Sequence, residues 1–396
     1  MDALSKLLTL PAAEKEARGS VYTPREIFQQ PETWQRSYRE FLRSAPAVGE
    51  FLAQAGLIRA ARERPAVLLI GAGTSDYVGK SLTALLQREW GCAVQAVPST
   101  DLLTNADDII LPGREYLWIS FSRSGDSSEG VAVLEAAADR YPSIHHLVVT
   151  CNEHGRMARA FTGRKNFCRI VLDDEVNDRG LAMTSSFSNM VVAGHCLAHL
   201  RDLEAYGELL NVLTAAARKL LPAAADVSER LVREGFSKIC FLGAGPLNAV
   251  AIESGLKVLE LTAGRIVTFA ESFLGFRHGP LSAIDDETLV VGFLSGDARR
   301  RAFELDLLKE ICDKRLTQRC LVVLPAGVGE KEAAELAKDA ILLDLGREIA
   351  DVYRPPVDVI VGQLLGLFSS LQAGLKPDAP SPRGAISRVV SHVKIH

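Results

Sequence analysis

Two stretches of this chain follow one pattern, and that repetition restricts its fold more than any other feature. Val67-Leu-Leu-Ile-Gly-Ala-Gly-Thr-Ser75 is an apolar strand running into a Gly-x-Gly turn, and Ile239-Cys-Phe-Leu-Gly-Ala-Gly-Pro-Leu247 repeats it in the second half of the chain. A second landmark returns at nearly the same interval. Phe121-Ser-Arg-Ser-Gly-Asp126 is echoed by Leu294-Ser-Gly-Asp297, so that Asp126 and Asp297 are spaced almost as Gly71 and Gly243 are. The repetition predicts a duplicated domain, and 396 residues allow each copy a core of its own. In the first copy, apolar strands near 66–70, 93–97, 116–121, 145–150 and 168–172 alternate with helical periodicity near 75–89, 127–140 and 154–161. Strands near 238–242, 265–269, 288–293, 320–324 and 340–344 follow in the second. Alternation of this kind reads as parallel βαβ units, so the expected fold class is α/β, with two tandem doubly wound parallel sheets flanked by helices.

The remaining segments frame these copies. Residues 1–48 form an N-terminal helical arm, read as an extended lead followed by helix with Gln30-Pro31 at the helix start. Residues 49–206 and 207–375 form the two domains, joined by helical stretches at 182–205 and 208–234. Residues 376–396 form a tail, whose Lys376-Pro-Asp-Ala-Pro-Ser-Pro382 is expected to be irregular because proline cannot continue a helix.

Charge and cysteine usage narrow the function. Forty-five basic against 49 acidic residues leave a net charge of −4, with no basic field to draw a phosphodiester backbone, so a small ligand is expected rather than nucleic acid. Seven scattered cysteines with no Cys-x-x-Cys pair fit reduced thiols in the cytoplasm, not a zinc or redox site. Met1–Ala12 is interrupted by Asp2 and Lys6 and lacks the apolar core of a secretory signal. Val357–Leu371 is broken by Asp358 and Gln363 and is shorter than the roughly 20 residues that span a bilayer, so no membrane segment is expected.

Four motifs carry candidate chemistry. The Gly-x-Gly turns raise dinucleotide binding, but Asp76 and Asn248 stand where the third glycine would be, and the strand ending Val97-Pro98-Ser99 has no acidic tip for a ribose. Ser122-Arg-Ser-Gly-Asp-Ser-Ser128 is a better anion site. Hydroxyls of Ser122, Ser124 and Ser127, the small Gly125 and the free N–H groups of a helix start can converge on one phosphate. A plain helix cap through Asp126 or Ser127 is the competing reading. Glu253, Lys257 and Glu260 share one helical face, where spacing alone favours an exposed ion-pair stripe. His278, in Gly275-Phe-Arg-His-Gly-Pro280, can be held rigidly in a cleft as a general acid or base, or serve as a structural histidine. His145, His146, His195 and His199 read as packing or surface residues, and the His195/His199 pair lacks a third metal ligand.

Taken together, the duplication, the Gly-Ala-Gly-Thr-Ser turn, the Ser-x-Ser-Gly-Asp-Ser loop and the Arg-His-Gly-Pro loop resemble the sugar isomerase (SIS) family across about residues 25–396. Leu181-Ala-Met-Thr-Ser-Ser-Phe187 and Pro382-Arg-Gly-Ala-Ile-Ser-Arg-Val-Val390 are similar to the AgaS-type galactosamine-6-phosphate deaminase/isomerase branch, also labelled tagatose-6-phosphate ketose/aldose isomerase. The isomerase half of glucosamine-6-phosphate synthase is more distantly similar. The resemblance implies two SIS domains and a hexose or hexosamine 6-phosphate substrate. Ser75, Ser122, Arg123, Ser124 and Ser127 would hold the phosphate end, with Thr184, Ser185 and Arg388 also at the substrate site. Glu260 would be the enolisation base, Lys257 would lie near the carbonyl end, and His278 would open the sugar ring from a neighbouring subunit of a dimer or larger homo-oligomer. Burial among Leu256, Leu259 and Leu261 would raise the Glu260 pKa. The synthase's imine-forming tail lysine is replaced here by Ser387, followed by Arg388, and there is no room for a glutaminase domain.

The implied activity is deamination of galactosamine 6-phosphate to tagatose 6-phosphate and ammonia through a base-catalysed proton shift, with no metal or cofactor. Simple phosphosugar isomerisation or sugar-amine 6-phosphate deglycation would use the same groups. A sugar-phosphate-binding regulator is the non-enzymatic alternative, and residues 1–60 carry no basic reading helix for one.

Overall fold

The computed structural model describes residues 1–336, 338, 340–390 and 393–395. They form two compact units, one of Glu32–Asp178, Ser185–Leu210 and Ile386–His396, the other of Met1–Pro31, Arg179–Thr184 and Asn211–Ala385. Each unit is built on a five-stranded parallel sheet. The first holds β1 (Ala66–Gly71), β2 (Val94–Pro98), β3 (Tyr116–Ser122), β4 (His145–Thr150) and β5 (Phe167–Val171), in the order β2-β1-β3-β4-β5. The second holds β6 (Lys238–Gly243), β7 (Val267–Glu271), β8 (Thr288–Phe293), β9 (Arg319–Leu324) and β10 (Ile341–Asp344), in the order β10-β9-β8-β6-β7. Read from the other edge, the second order is the first one again.

Pairing register carries the duplication too. Leu68 lies opposite Trp118 between β1 and β3, and their counterparts in the repeat, Cys240 and Val290, lie opposite each other between β6 and β8. Strands β1, β3 and β8 are buried along their whole length, as parallel strands covered by helices on both faces must be.

The glycine turns fix where each helix begins. A Cβ on Gly71 would stand 2.3 Å from the Ser75 carbonyl carbon, and one on Gly243 would stand 2.1 Å from the Leu247 carbonyl oxygen. Only glycine lets the chain fold back so tightly. Gly73 (φ 55°, ψ −125°) and Gly245 (φ 56°, ψ −126°) then launch the helices Thr74–Trp90 and Pro246–Leu261 in the same conformation. In both sheets the strand order reverses between the first and third strands of the copy. The crevice above the carboxyl ends at that reversal is where open α/β sheets take ligands.

Three sequence expectations need correction. The N-terminal arm is not extended: Ala3–Thr9, Ala12–Arg18 and Thr23–Phe28 are short helices that precede the long helix Gln30–Gln54. Asp378 holds this region by accepting N–H groups of Val21 (2.7 Å) and Thr23 (2.8 Å) together with the Thr23 hydroxyl (2.9 Å), a long-range cap that periodicity does not reveal. The helical pattern at 154–161 shrinks to Arg156–Arg159. Residues 182–205 are broken at Ala198, where the helix begun at Ser185 ends, and a new helix, Leu203–Glu234, follows.

The apolar stretch at 357–371 is a buried helix, Pro355–Gln372. Asp358 and Gln363 are paired inside the unit: Asp358 with Arg354 at 2.6 Å, and Gln363 with Gln30 at 2.7 Å. Gly362 and Gly366 let it approach the helix Pro246–Leu261 closely, against Ser254 and the Lys257 carbonyl. No described helix is long and apolar enough to cross a membrane.

The packing reading of the histidines holds for His146 and His195. His195 is buried against Tyr206, its Nδ1 3.1 Å from the hydroxyl. His146 on β4 is 3% exposed, lies edge-on to Trp118 at 5.4 Å, and is pushed down to about 4 by burial. In the unfolded chain it takes a proton near 6.5, so its contribution to stability is lost as pH falls from about 6.5 to about 4. A shift of this size corresponds to roughly 3 kcal/mol. The acid loss of stability between pH 7.5 and 4, followed by urea unfolding, is expected to be smaller by roughly that amount in His146→Leu. An unchanged pH dependence would contradict this.

Candidate active site

The serine loop lies between β3 and the helix Ser128–Arg140, at the carboxyl end of the strand bordering the order reversal. Its hydroxyl oxygens accept the loop's own N–H groups: Gly125 N–H reaches Ser122 Oγ at 3.0 Å, and Asp126 N–H reaches Ser124 Oγ at 3.2 Å. A hydroxyl that accepts in this way keeps its own O–H to donate. Gly125 adopts φ 66° and nests against Gly155, whose own Cβ would lie 2.6 Å from the Ser124 carbonyl oxygen.

The capping alternative does not describe this loop. Ser127 occupies the N-cap without a side-chain cap bond, and Asp126 instead accepts the Arg156 N–H at 2.8 Å. Asn152 Nδ2 holds the Ser124 carbonyl at 2.8 Å. Asn152 and Gly155 were missed from sequence. Their only signal is a polar Asn-Glu-His-Gly turn after β4, which looks like any loop.

On the same side lies the tail, and it supplies backbone acceptors to the loop. The Val390 carbonyl takes the Ser128 N–H at 3.0 Å, and the Arg388 carbonyl takes the guanidinium of the buried Arg123 at 2.5 Å. The Arg388 side chain donates to Asn177 Oδ1 (2.7 Å) and to the carbonyls of Asn177 (3.2 Å) and Asp178 (2.8 Å), and these bonds anchor the tail. Ser387, at the synthase lysine position, donates its hydroxyl to the Val389 carbonyl at 2.8 Å.

Ser75 is buried in the first turn of the helix after Gly73. Asp76 beside it pairs with Lys80 at 2.6 Å, and burial, partly offset by that lysine, raises its pKa. Ser185 is fully buried and gives its N–H to Asp178 Oδ1 at 3.0 Å, while the Thr184 carbonyl accepts from Gln363 Nε2 at 3.3 Å. In this conformation the backbone of both residues serves the fold.

Glu253, Lys257 and Glu260 are not an exposed stripe. The Lys257 and Glu253 side chains have no exposed surface, and Glu260 keeps 23%. Lys257 Nζ lies 2.6 Å from Glu260 Oε2 and 3.3 Å from Glu253 Oε1. Burial opposes the charged ammonium, but the two carboxylates outweigh it and hold the Lys257 pKa above the ordinary lysine range. Lys257 is therefore a fixed cation, poorly suited to act as an amine nucleophile. Glu260 does not sit among leucines as expected, because Leu259 is 42% exposed and the nearest group is the ammonium. Nor is His278 held in a cleft. It follows the short helix Phe273–Phe276 with its ring exposed, its N–H bonded to the Gly275 carbonyl at 2.9 Å.

No family model matches the chain. A D-galactosamine-6-phosphate deaminase AgaS from Escherichia coli is 36% identical over 387 residues, covering 98% of this chain and 97% of the relative. A protein of the same name from a Shewanella species is 34% identical over 394 residues, covering 98% and 95%. Among solved structures, the tagatose-6-phosphate ketose/aldose isomerase from Escherichia coli superposes with a TM-score of 0.85 at 34% identity, covering 98% of each chain. The C-terminal domain of glucosamine-fructose-6-phosphate aminotransferase from Francisella tularensis shares the fold, with a TM-score of 0.74 at 19% identity over 91% of this chain and 98% of that one. Full-length identity at this level, with the duplicated parallel sheets and both loops in place, makes the chain a member of the AgaS branch of the sugar isomerase (SIS) family.

Proposed function

We propose that the chain is an amino-sugar phosphate deaminase/isomerase that converts galactosamine 6-phosphate to tagatose 6-phosphate and ammonia. The observation that carries this reading is the partly exposed Glu260 carboxylate, fixed through one oxygen by a fully buried ammonium. Its other oxygen is left to move a proton. The AgaS relatives supply the substrate class.

In this reading, Ser122, Ser124, Ser127 and the nearby Arg123 hold the 6-phosphate through hydroxyl and guanidinium donors, with Ser75 at the adjoining turn. Arg388 acts at one remove, as the residue that positions the tail. Glu260 takes the proton from carbon 2 and returns it to carbon 1, and Lys257 holds that carboxylate in one orientation. Because carbon 2 bears the amine, the shift leaves an imine there. Water adds to it, and ammonia departs to give the ketose. A substrate with a hydroxyl at carbon 2 would undergo isomerisation by the same shift. Seven free thiols, four of them buried, suit a cytoplasmic setting for this enzyme.

Two variants separate the roles in assays of ammonia and ketose across a panel of 6-phosphosugars. Glu260→Gln is expected to lower kcat by about 10²–10⁴-fold with KM nearly unchanged. Ser124→Ala is expected to weaken phosphosugar binding by roughly 10- to 150-fold, as the loss of one phosphate-directed hydrogen bond does. Normal turnover in the first variant, or equal binding of phosphorylated and unphosphorylated sugar by wild type, would contradict these assignments.

The exposed ring of His278 supports a role in a neighbouring subunit's site, where it would open the sugar ring. Mixing inactive Glu260→Gln chains with inactive His278→Ala chains is expected to restore part of the activity in hybrid oligomers. Absence of recovery after demonstrated subunit exchange would rule out the shared site.

A further inference from the structure

The second copy contains the counterpart of the serine loop, and its contents differ. Ser295 corresponds to Ser124 when Asp297 is matched to Asp126, and one bond is retained: Asp297 N–H reaches Ser295 Oγ at 3.1 Å, as Asp126 N–H reaches Ser124 Oγ at 3.2 Å. Here the hydroxyl proton has a visible destination. Ser295 Oγ donates to Asp351 Oδ2 at 2.5 Å, Gly296 N–H donates to Oδ1 at 2.8 Å, and the Arg300 guanidinium donates to Oδ2 at 2.6 Å. Arg354 adds a longer contact to Oδ1 at 3.4 Å. A serine hydroxyl, a loop N–H and the Arg300 guanidinium at the start of the helix Ala298–Asp313 form a donor set for an oxyanion, and the 8%-exposed Asp351 carboxylate fills it.

The aspartate at the matching place in the first copy, Asp178, faces elsewhere. It accepts the N–H groups of Ser185 (3.0 Å) and Ser186 (2.9 Å) at a helix start. The first loop therefore meets the neutral backbone carbonyls of the tail, and the second meets a carboxylate carried by its own unit. The loop's carbonyl side is also fixed: Arg301 binds the carbonyls of Ser295 (3.1 Å) and Gly296 (3.0 Å), and Arg354 binds that of Leu294 (2.5 Å). Glu304 accepts the Ser295 N–H at 2.7 Å, and its other oxygen is buried without a partner. Burial, together with the nearby Asp351 charge, holds Glu304 at about 7.

We propose that the second-copy loop is a phosphate-type anion site closed by Asp351, whose carboxylate stands in for the ligand and limits each chain to one phosphate-binding loop. The comparison with the first loop rests on the proposed phosphate role of Ser124, but the anion chemistry of the second loop does not. Removing Asp351 leaves the Arg300 charge without its carboxylate, and an anion from solution can take that place.

The test uses inorganic phosphate at pH 6, below the Glu304 titration, with chloride at equal ionic strength as the reference. Asp351→Ala is expected to bind one more phosphate per chain than wild type by calorimetry. At about 50 mM phosphate its melting temperature is expected to gain about 3–8 °C beyond the gain in wild type. The double variant Arg300→Ala/Asp351→Ala is expected to lose that extra gain while keeping the first loop intact. Asp351→Ser, which empties most of the same space and keeps a polar side chain, is expected to behave like Asp351→Ala and covers the case in which the apolar residue prevents folding. Two phosphates per wild-type chain would overturn the proposal, as would the absence of extra phosphate stabilisation in the soluble Asp351 variants. Failure of the proposed sugar reaction would leave these readouts unaffected.

Discussion

A lysine ammonium with no exposed surface has to be paired, and the pairing of Lys257 organises the chemistry of its unit. Glu253, one turn before it, shares its burial, so the net charge in the interior is balanced. Glu260, one turn after it, reaches the surface, and of the trio it alone keeps exposed side-chain area. The glycines of the helix Pro355–Gln372 allow the close packing that seals the other side, with Gly366 against the Lys257 carbonyl. Removing one partner of such a buried set typically costs about 3–5 kcal/mol, because the remaining charge stays buried. The same enclosure that makes Lys257 expensive to disturb gives Glu260 a single orientation.

Duplication supplied two equivalent crevices, and the two copies fill them with different side chains. Both Gly-x-Gly turns keep the same backbone angles, and both sheets keep the same pairing register. One loop is rich in serines, and the other holds an internal carboxylate. The first helix start carries Asp76 paired to Lys80, whereas the second carries Pro246 and the face with Glu253, Lys257 and Glu260. One scaffold thus carries a serine-rich loop in one copy and a partly exposed carboxylate paired to a buried lysine in the other.

Much of the fold was legible because its determinants are local. Apolar strands of a buried parallel sheet, and glycines forced by the close backbone approach at each turn, leave direct marks in the chain. The serine loop stood out for the same reason. What spacing misread was burial. The i, i+3 and i, i+4 pattern of Glu253, Lys257 and Glu260 is identical on a wet face and a dry one, and only the glycine-lined helix Pro355–Gln372, far along the chain, decides between them. The N-terminal helices were also illegible, since the Asp378 carboxylate that caps one of them is remote from it in sequence. For Arg388 the resemblance transferred a position and not the direction of its side chain, which donates to Asn177.

Glu260 as a proton-transferring base is the central claim, and the fate of hydrogen during the reaction tests it most directly. A carboxylate that retains exposed surface exchanges its proton with water between removal and return. Turnover of galactosamine 6-phosphate in deuterated water, with the ketose analysed by NMR, is predicted to place solvent deuterium at carbon 1. Glu260→Gln is predicted to lose this incorporation together with turnover; deuterium uptake at carbon 1 at the wild-type rate in that variant would contradict a shift through this residue.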